Sequence, residues 1–510
     1  PPFRMTFFRI VALVAVASAA TVRFKPPTPY KAVKELASEG ATEKRRLEKF
    51  EALTKQMVGK ISSSRFANQL VPIEPAAPVL TNASAKSARS SSARTANAYF
   101  AAPTIVDINR PYLDYLYGGD ILLEDRHLTG GAGPIRQKRG APNVLLNRWP
   151  KTQPIGFVFD SSISTATANQ IRTAVAMMSP NICLDFEENG AGTKLQFFAG
   201  DGCYSSLGYY PPTASNDLQQ ISIGSGCDGI ATISHEITHA LGLDHTQTRK
   251  DRNSYVTVNA SAIQSGMETN FAMLTDAENN NFGVPYDYGS AMHYSAYSFS
   301  VDGGVVLEPA DDQYMYTMGQ RRAFSFADYK LINMLYNCSE SCPTQMQCQN
   351  GGYPHPRDCS KCACPDFYTG STCETPVKQV LLTAASPTTV TNFTQAFDQT
   401  LYSSGQLSNW TMFQHDGPMI IQAPAGRKIQ VSIDQMYTAY GQLKCYVACP
   451  YSGIEIIDNA ANDFTTGGKL FCCDAEDTGK VFQSQTNIIG YRAFIAPGMP
   501  IVTGVTFSLV

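Results

Sequence analysis

The 510-residue sequence predicts an α+β principal domain followed by a small disulfide-rich module and a β-sandwich. Three observations carry this. Residues 140–338 mix strand-like alternation with helical periodicity. Six cysteines crowd into 342–373, and beyond residue 380 the chain becomes a series of short β-prone runs. A chain of this length is too long for one core, so several domains are expected.

At the N-terminus, Arg9 precedes the apolar run 10–17, and Ala17-Ser18-Ala19 offers the small residues of a signal-peptidase site. Residues 1–19 are therefore expected to be a signal peptide starting at Met5. The run is too short to span a bilayer, and no other stretch is apolar for long enough. Fourteen cysteines suit an oxidising, extracellular compartment, and a net charge of −3 gives no reason to expect nucleic acid or anionic membrane as a partner.

Residues 31–60 are charged and helix-compatible, and 76–102 are rich in Ala and Ser, as linkers are. Arg136-Gln137-Lys138-Arg139 follows, a dibasic sequence of the kind secretory convertases cut. Residues 20–139 are expected to be a propeptide, with Gly140 or Ala141 as the new terminus.

Within 140–338, strands are expected at Ile155–Phe159, 183–186, 195–198 and 221–223. A helix is expected at Thr165–Met178, with Ile171, Val175 and Met178 on one face. Ser325 and Asp328 form an SxxD capping box opening a last helix that carries Leu331, Met334 and Leu335 inward.

The chemistry lies in SHEITHALGLDH, residues 234–245, which contains HExxHxxGxxH. His235 and His239, four apart, share a helix face, and Glu236 projects beside them without having to ligate. Gly242 can take the positive φ that ends the helix, letting His245 swing back to the same point. Three neutral imidazoles leave one corner of a tetrahedron for water, the pattern of catalytic rather than structural zinc. HExxH alone can arise by chance on an apolar helix. The chain has only seven histidines, and three of them fall on the extended motif, which makes accident a poor explanation.

Downstream, residues 284–294 read VPYDYGSAMHY. The long zinc motif, then Asp251-Arg252 with Tyr255, then Ser290-Ala291-Met292-His293-Tyr294, resembles the astacin family of metzincins. That resemblance implies a two-lobed zinc protease domain with one catalytic Zn2+ held by His235, His239 and His245. It implies Glu236 as general base and acid, Met292 packed beneath the site, and Tyr294 as a displaceable ligand that later hydrogen-bonds the oxyanion. His293 is read as a structural histidine. Tyr117-Gly118-Gly119-Asp120 resembles the aromatic-x-Gly-Asp motif of astacin prosegments, which gives Asp120 the water's position on zinc in the zymogen only.

The same resemblance implies disulfides Cys183–Cys338 and Cys203–Cys227. It likens 339–378 to an EGF-like domain paired Cys342–Cys359, Cys348–Cys362 and Cys364–Cys373, and 379–510 to a CUB domain. There Cys472 and Cys473, being adjacent, are each expected to meet one of Cys445 and Cys449, in an order the sequence leaves open. One position departs from the family: Thr246 stands where most members have the glutamate that meets the new N-terminal ammonium. Sequons at Asn82, Asn259, Asn392 and Asn409 are available for glycosylation.

The expected function is that of a secreted zinc metalloendopeptidase, made as a zymogen and acting on extracellular proteins or peptides, with a matrix partner reached through the C-terminal modules. The alternative is an extracellular binding or adhesion protein that uses those modules over a catalytically weak protease domain.

Overall fold

The computed structural model describes residues 104–122, 148–211, 217–276, 278–383, 387–391, 414–438, 447–450, 452–495 and 501–510, all within one compact unit, Leu53–Val510. The expected signal peptide, the expected processing residues Arg136, Lys138 and Arg139, the expected termini Gly140 and Ala141, the sequons Asn82, Asn392 and Asn409, and Cys445 lie outside the described residues.

The chain first makes a short capped helix, α1 (Ile105–Ile108), and a two-residue strand, β1 (Ile121–Leu122). Then come β2 (Ile155–Phe159), α2 (Thr165–Met178), β3 (Phe186–Glu188), β4 (Lys194–Phe198), β5 (Cys203–Ser206), β6 (Leu218–Ile223) and α3 (Ile230–Ala240). Six strands form one sheet in the order β1-β5-β6-β4-β2-β3, parallel except where β5 runs against β6. Ile171, Ala174, Val175 and Met178 of α2 pack with Ile155, Leu195, Phe197 and Ile221 of the sheet and with Ile233 and Ile237 of α3 in one apolar cluster. Removing these side chains from water is the main favourable term in forming the layer. A second cluster, built mainly from residues after the zinc motif (Val256, Met267, Phe271, Tyr294, Phe299, Leu307 and Met318), also takes in Val106 and Leu113 from before it. It contains the small hairpin of β7 (Val256–Val258) and β8 (Leu307–Pro309).

The last helix of this region, α4 (Phe326–Leu335), opens with the expected box: Ser325 Oγ accepts from Asp328 N, and Asp328 Oδ2 accepts from Ser325 N. Its packed face differs from expectation. Leu335 is buried, but Leu331 and Met334 are only half-buried, and Ile332 goes fully inward instead. Two other expectations are corrected. The strand expected at 183–186 begins only at Phe186, because Cys183 is bonded to Cys338 while Ile182 and Leu184 turn into the core. The strand at 221–223 starts earlier, at Leu218, since the Gln219 amide donates to the Gly208 carbonyl (2.8 Å) and so enters the interior satisfied.

Residues 342–373 hold Cys342–Cys359, Cys348–Cys362 and Cys364–Cys373, with Cys203–Cys227 in the domain before them. The six cysteines brace two short hairpins, β9 (Tyr353–Pro354) with β10 (Cys362–Ala363), and β11 (Tyr368–Thr369) with β12 (Thr375–Pro376). The C-terminal part is a sandwich. One sheet runs β13 (Gln379–Leu381), β15 (Gln414–Gln422), β20 (Ile488–Ile495), β17 (Ser452–Ile457), β18 (Lys469–Phe471). The other runs β14 (Thr388–Thr391), β21 (Ile501–Leu509), β16 (Ile429–Thr438), β19 (Val481–Gln483). Ile454, Ile456 and Tyr491 of the first share a core with Val431, Ile433, Val505 and Phe507 of the second. All pairings are antiparallel except β13 with β15. Cys449 bonds Cys472, and Cys473 is also disulfide-bonded.

Candidate active site

Helix α3 is buried along almost its whole length, so a polar side chain on it is costly without a partner, and two of its histidines have one. His235 places Nδ1 2.7 Å from the Ala291 carbonyl, and His239 places Nδ1 2.8 Å from the Leu243 carbonyl. A carbonyl can only accept, so both Nδ1 atoms carry the hydrogen and both Nε2 atoms present bare lone pairs. Those two nitrogens lie 3.1 Å apart. After α3, Gly242 takes φ +104° and donates its N–H to the His239 carbonyl, and the chain returns His245 to the same point.

Asp120 completes the set. Its Oδ2 is 3.1 Å from His235 Nε2, and its Oδ1 is 3.5 Å from His239 Nε2 and 3.1 Å from His245 Nε2. All four groups are buried, with ligand atoms within 4.8 Å of one another. Burial works to raise the pKa of Asp120, but the positive charge that His245 and His239 carry when protonated outweighs it and holds the carboxylate well below its ordinary range, as a cation between them would. Acceptors that face acceptors repel unless a cation sits between them. This donor set of imidazole nitrogens and one carboxylate oxygen fits zinc.

Glu236, also buried, leaves both carboxylate oxygens without a hydrogen-bond partner. Burial first, and the Asp120 charge second, push its pKa well above the usual carboxylate range. An unpartnered buried carboxylate is costly, and active sites are where such groups are kept.

The segment after α3 is tied to the turn that holds Met292. Thr246 N donates to the Met292 carbonyl (3.0 Å), and Tyr294 N donates to Gln247 Oε1 (3.0 Å). Met292 is buried. His293 is buried with Nδ1 donating to the Tyr294 carbonyl and Nε2 accepting from the Tyr286 hydroxyl, each at 2.7 Å; burial lowers its pKa to about 4. The Tyr294 phenol donates to the Gly118 carbonyl at 2.6 Å. Thr246 donates to Ser290 Oγ, and Ser290 donates to Asp328 Oδ1.

The segment that carries Asp120 enters this centre as a formed element. Tyr117 and Ile121 exchange two main-chain hydrogen bonds around Gly118-Gly119-Asp120, and β1 then pairs with Ser205 and Ser206 of β5. Both glycines have positive φ. A Cβ on Gly118 would sit 3.0 Å from the His245 ring, so only glycine allows this approach without displacement.

The family model for Astacin (Peptidase family M12A) matches residues 142–337. Zinc metalloproteinase nas-28 of Caenorhabditis elegans is 31% identical over 402 residues, 76% of this chain and 78% of that protein. The chain belongs to the astacin family. Zinc metalloproteinase nas-32 of the same worm is 35% identical over 369 residues, 71% of this chain; here the chain spans 53% of the relative's length, about half. Among solved structures, High choriolytic enzyme 1, a hatching enzyme zinc-protease from the medaka fish Oryzias latipes, is 32% identical, covering 38% of this chain and 94% of that one with a TM-score of 0.34. Astacin-family zinc metalloproteinases use one catalytic zinc, and His235, His239 and His245 are the residues here that would hold it.

Three residues at this astacin centre carry no signal in the sequence. Asn109 anchors the Asp120 segment, its Nδ2 donating to the Gly119 and Cys203 carbonyls and its Oδ1 accepting from Cys203 N. Asn270 Oδ1 accepts from Gly118 N (2.9 Å). Arg321 lines a small cavity with Asp120, Tyr294 and Ser298, and donates from Nη1 to the His293 carbonyl (3.1 Å). Nothing local marks the two asparagines, since each acts on a residue distant in sequence. Arg321 stands beside another arginine, which reads as a solvated basic pair. Of the four sequons, only Asn259 is described; it is half-buried, with its Oδ1 accepting from Ser261.

Proposed function

We propose that the chain is secreted as a zymogen and, once processed, acts as a zinc endopeptidase on extracellular proteins. The observation that carries this is the convergence of three imidazole Nε2 atoms on one point, with the outer nitrogens of His235 and His239 already committed to main-chain carbonyls. Bound there, zinc would supply Lewis acidity that polarises a peptide carbonyl and brings deprotonation of water near neutral pH.

The chain's own residues do the rest. Glu236 takes the attacking water's proton on one of its two unpartnered oxygens and passes it to the leaving amine. With the prosegment gone, one of the two causes raising its pKa, the Asp120 charge, is gone too, which favours the ionised base. The Tyr294 hydroxyl, bonded to the Gly118 carbonyl while the prosegment is in place, then donates to the developing oxyanion. Met292 packs beneath the histidines.

Latency belongs to Asp120, which lies where a water would have to sit. Residues 20–139 serve as the propeptide behind the signal peptide 1–19, cut after Arg136-Gln137-Lys138-Arg139. Residues 140–338 are the peptidase domain, 339–378 an EGF-like module and 379–510 a CUB-like module, a reading supported by the three local disulfides and the two-sheet core. Six disulfides among the described residues favour an oxidising destination, and no helix among those residues is long and apolar enough to cross a membrane. Asn82, Asn259, Asn392 and Asn409 are the proposed glycosylation sites. At Thr246 a hydroxyl that donates to Ser290 replaces the family's glutamate, so the new terminus cannot form that ion pair. The adhesion reading is not favoured, since an inert centre has no need of Glu236, three convergent histidines and Tyr294 together.

The test is cleavage of gelatin and a quenched peptide by the processed protein, with and without a chelator, alongside N-terminal sequencing of the secreted form. Chelator-sensitive cleavage with a terminus at Gly140 or Ala141 is expected. A processed protein that holds zinc and cuts nothing would overturn the reading.

A further inference from the structure

Arg321 and Arg322 are consecutive and serve opposite sides of one strap of chain. Arg321 lines the cavity beside Asp120 and Tyr294 and holds the His293 carbonyl. Arg322 turns the other way and lays its guanidinium over the Phe494 ring in β20 of the sandwich, 3.9 Å from the centroid. Phe494 is fully buried, and near it Arg492 donates to Glu455 Oε2 (2.6 Å) and to Asp366 of the disulfide-rich module (2.5 Å). Three modules thus meet around Arg322.

The strap between them is stiff. Gln320 donates to the Gly289 and Ala323 carbonyls, while its Oε1 accepts from Arg322 N (2.8 Å). The same face of the sandwich continues this contact: Thr317 donates to the Gly468 carbonyl, and Asp287 Oδ1 accepts from Gly467 N. Gly289 and Gly467 touch so closely that a Cβ on either would meet the other's Cα at 2.9 Å. Packed segments of this kind transmit displacement instead of absorbing it.

We infer that Arg322 is a positioning residue through which the C-terminal sandwich fixes the strap carrying Arg321, and with it the His293–Tyr294 side of the zinc site. The inference rests on the peptidase reading above. It makes the sandwich a working part of the catalytic unit as well as a recognition module.

The test uses full-length, processed, zinc-loaded enzyme and the variants Arg322→Met, Phe494→Leu, their double, Arg322→Lys and Glu476→Gln. Rates are taken per bound zinc, well below each variant's melting temperature. Each single change at the ring contact is expected to lower kcat about tenfold with little change in KM, and the double to lower it no further. Arg322→Lys should fall between, since a cation still reaches the ring. Glu476→Gln, which removes the charge from the group that accepts from the Tyr316 hydroxyl elsewhere on this face, should lower the melting temperature and leave kcat alone. Unchanged kcat in Arg322→Met and Phe494→Leu despite lower melting temperatures, or losses that simply add, overturns the inference. A wild-type enzyme that binds zinc yet cleaves nothing overturns the peptidase reading with it, whereas an active wild type beside unaffected variants overturns this inference alone.

Discussion

Asp120 Oδ2 lies 3.2 Å from His245 Nε2 although 125 residues separate the two in the chain. The contact exists because Asn109 and Asn270 hold the Gly118-Gly119 turn against the cleft, and because neither glycine carries a side chain to obstruct it. In a precursor so arranged, Asp120→Ala is expected to release hydrolysis, or self-processing faster than wild type. Equal latency in timed secretion assays would remove Asp120 from this role. Gly118→Ala should give a weaker version of the same release, since its Cβ would press on the His245 ring at an unfavourable φ.

Glu236→Gln preserves shape while removing the base. The variant should retain one zinc per chain by metal analysis and lose about 10²–10⁴-fold in kcat. Cleavage at the wild-type rate would leave Glu236 without a catalytic part.

Gly242→Ala tests the helix exit. No neighbour crowds the position, where the nearest atoms to an added Cβ are 3.9 Å away, so the cost comes from φ +104° alone. A loss of about 1–2 kcal/mol in stability is expected, with weaker zinc binding as His245 is displaced. Unchanged zinc affinity by competitive chelation would show that His245 can reach the metal by another backbone path.

Much of this molecule can be read from its residues, and the rest escapes for identifiable reasons. Helix α2 and β2 are legible because their apolar positions repeat with the right period and are bounded by Ser164, an N-cap, and the turn after Phe159. The zinc triad is legible because helix geometry and one glycine suffice to bring it together. Strand β5, Cys-Tyr-Ser-Ser, is not: its burial depends on β1 covering one edge and β6 the other, a context no local pattern reports. Arg321 and Asn109 are invisible for the same reason. At α4 the box is clear but the inward face differs, with Ile332 buried in place of Leu331 and Met334, since burial is decided by what packs against the helix.

Asp287 gives a pH signature away from the metal centre. Burial, together with the neighbouring Asp328 carboxylate, raises its pKa from 3.8 to about 7. The folded chain therefore keeps a proton that the unfolded chain releases near pH 4. Its contribution to stability is full below that point, declines as pH rises and is lost by about pH 7. Asp287→Asn keeps an oxygen to accept from Gly289 N and Gly467 N, so it should match wild type near pH 4. Above pH 7 it should be the more stable, by roughly 1.4 kcal/mol for every tenfold by which folding tightens the carboxyl's hold on its proton. Melting curves that run parallel across this range would contradict the assignment.

The pairing of Ile121 and Leu122 with Ser205 and Ser206 has an outcome for whatever is eventually cut. On the proposed processing, departure of that short ribbon would uncover a row of main-chain donors and acceptors along β5, right beside the reactive centre. Such a rim welcomes a polypeptide that arrives stretched out and turns away one coiled into a helix, whose amides are already engaged. Susceptibility in a target would then track how readily a stretch of it can be unravelled as much as which side chains it displays.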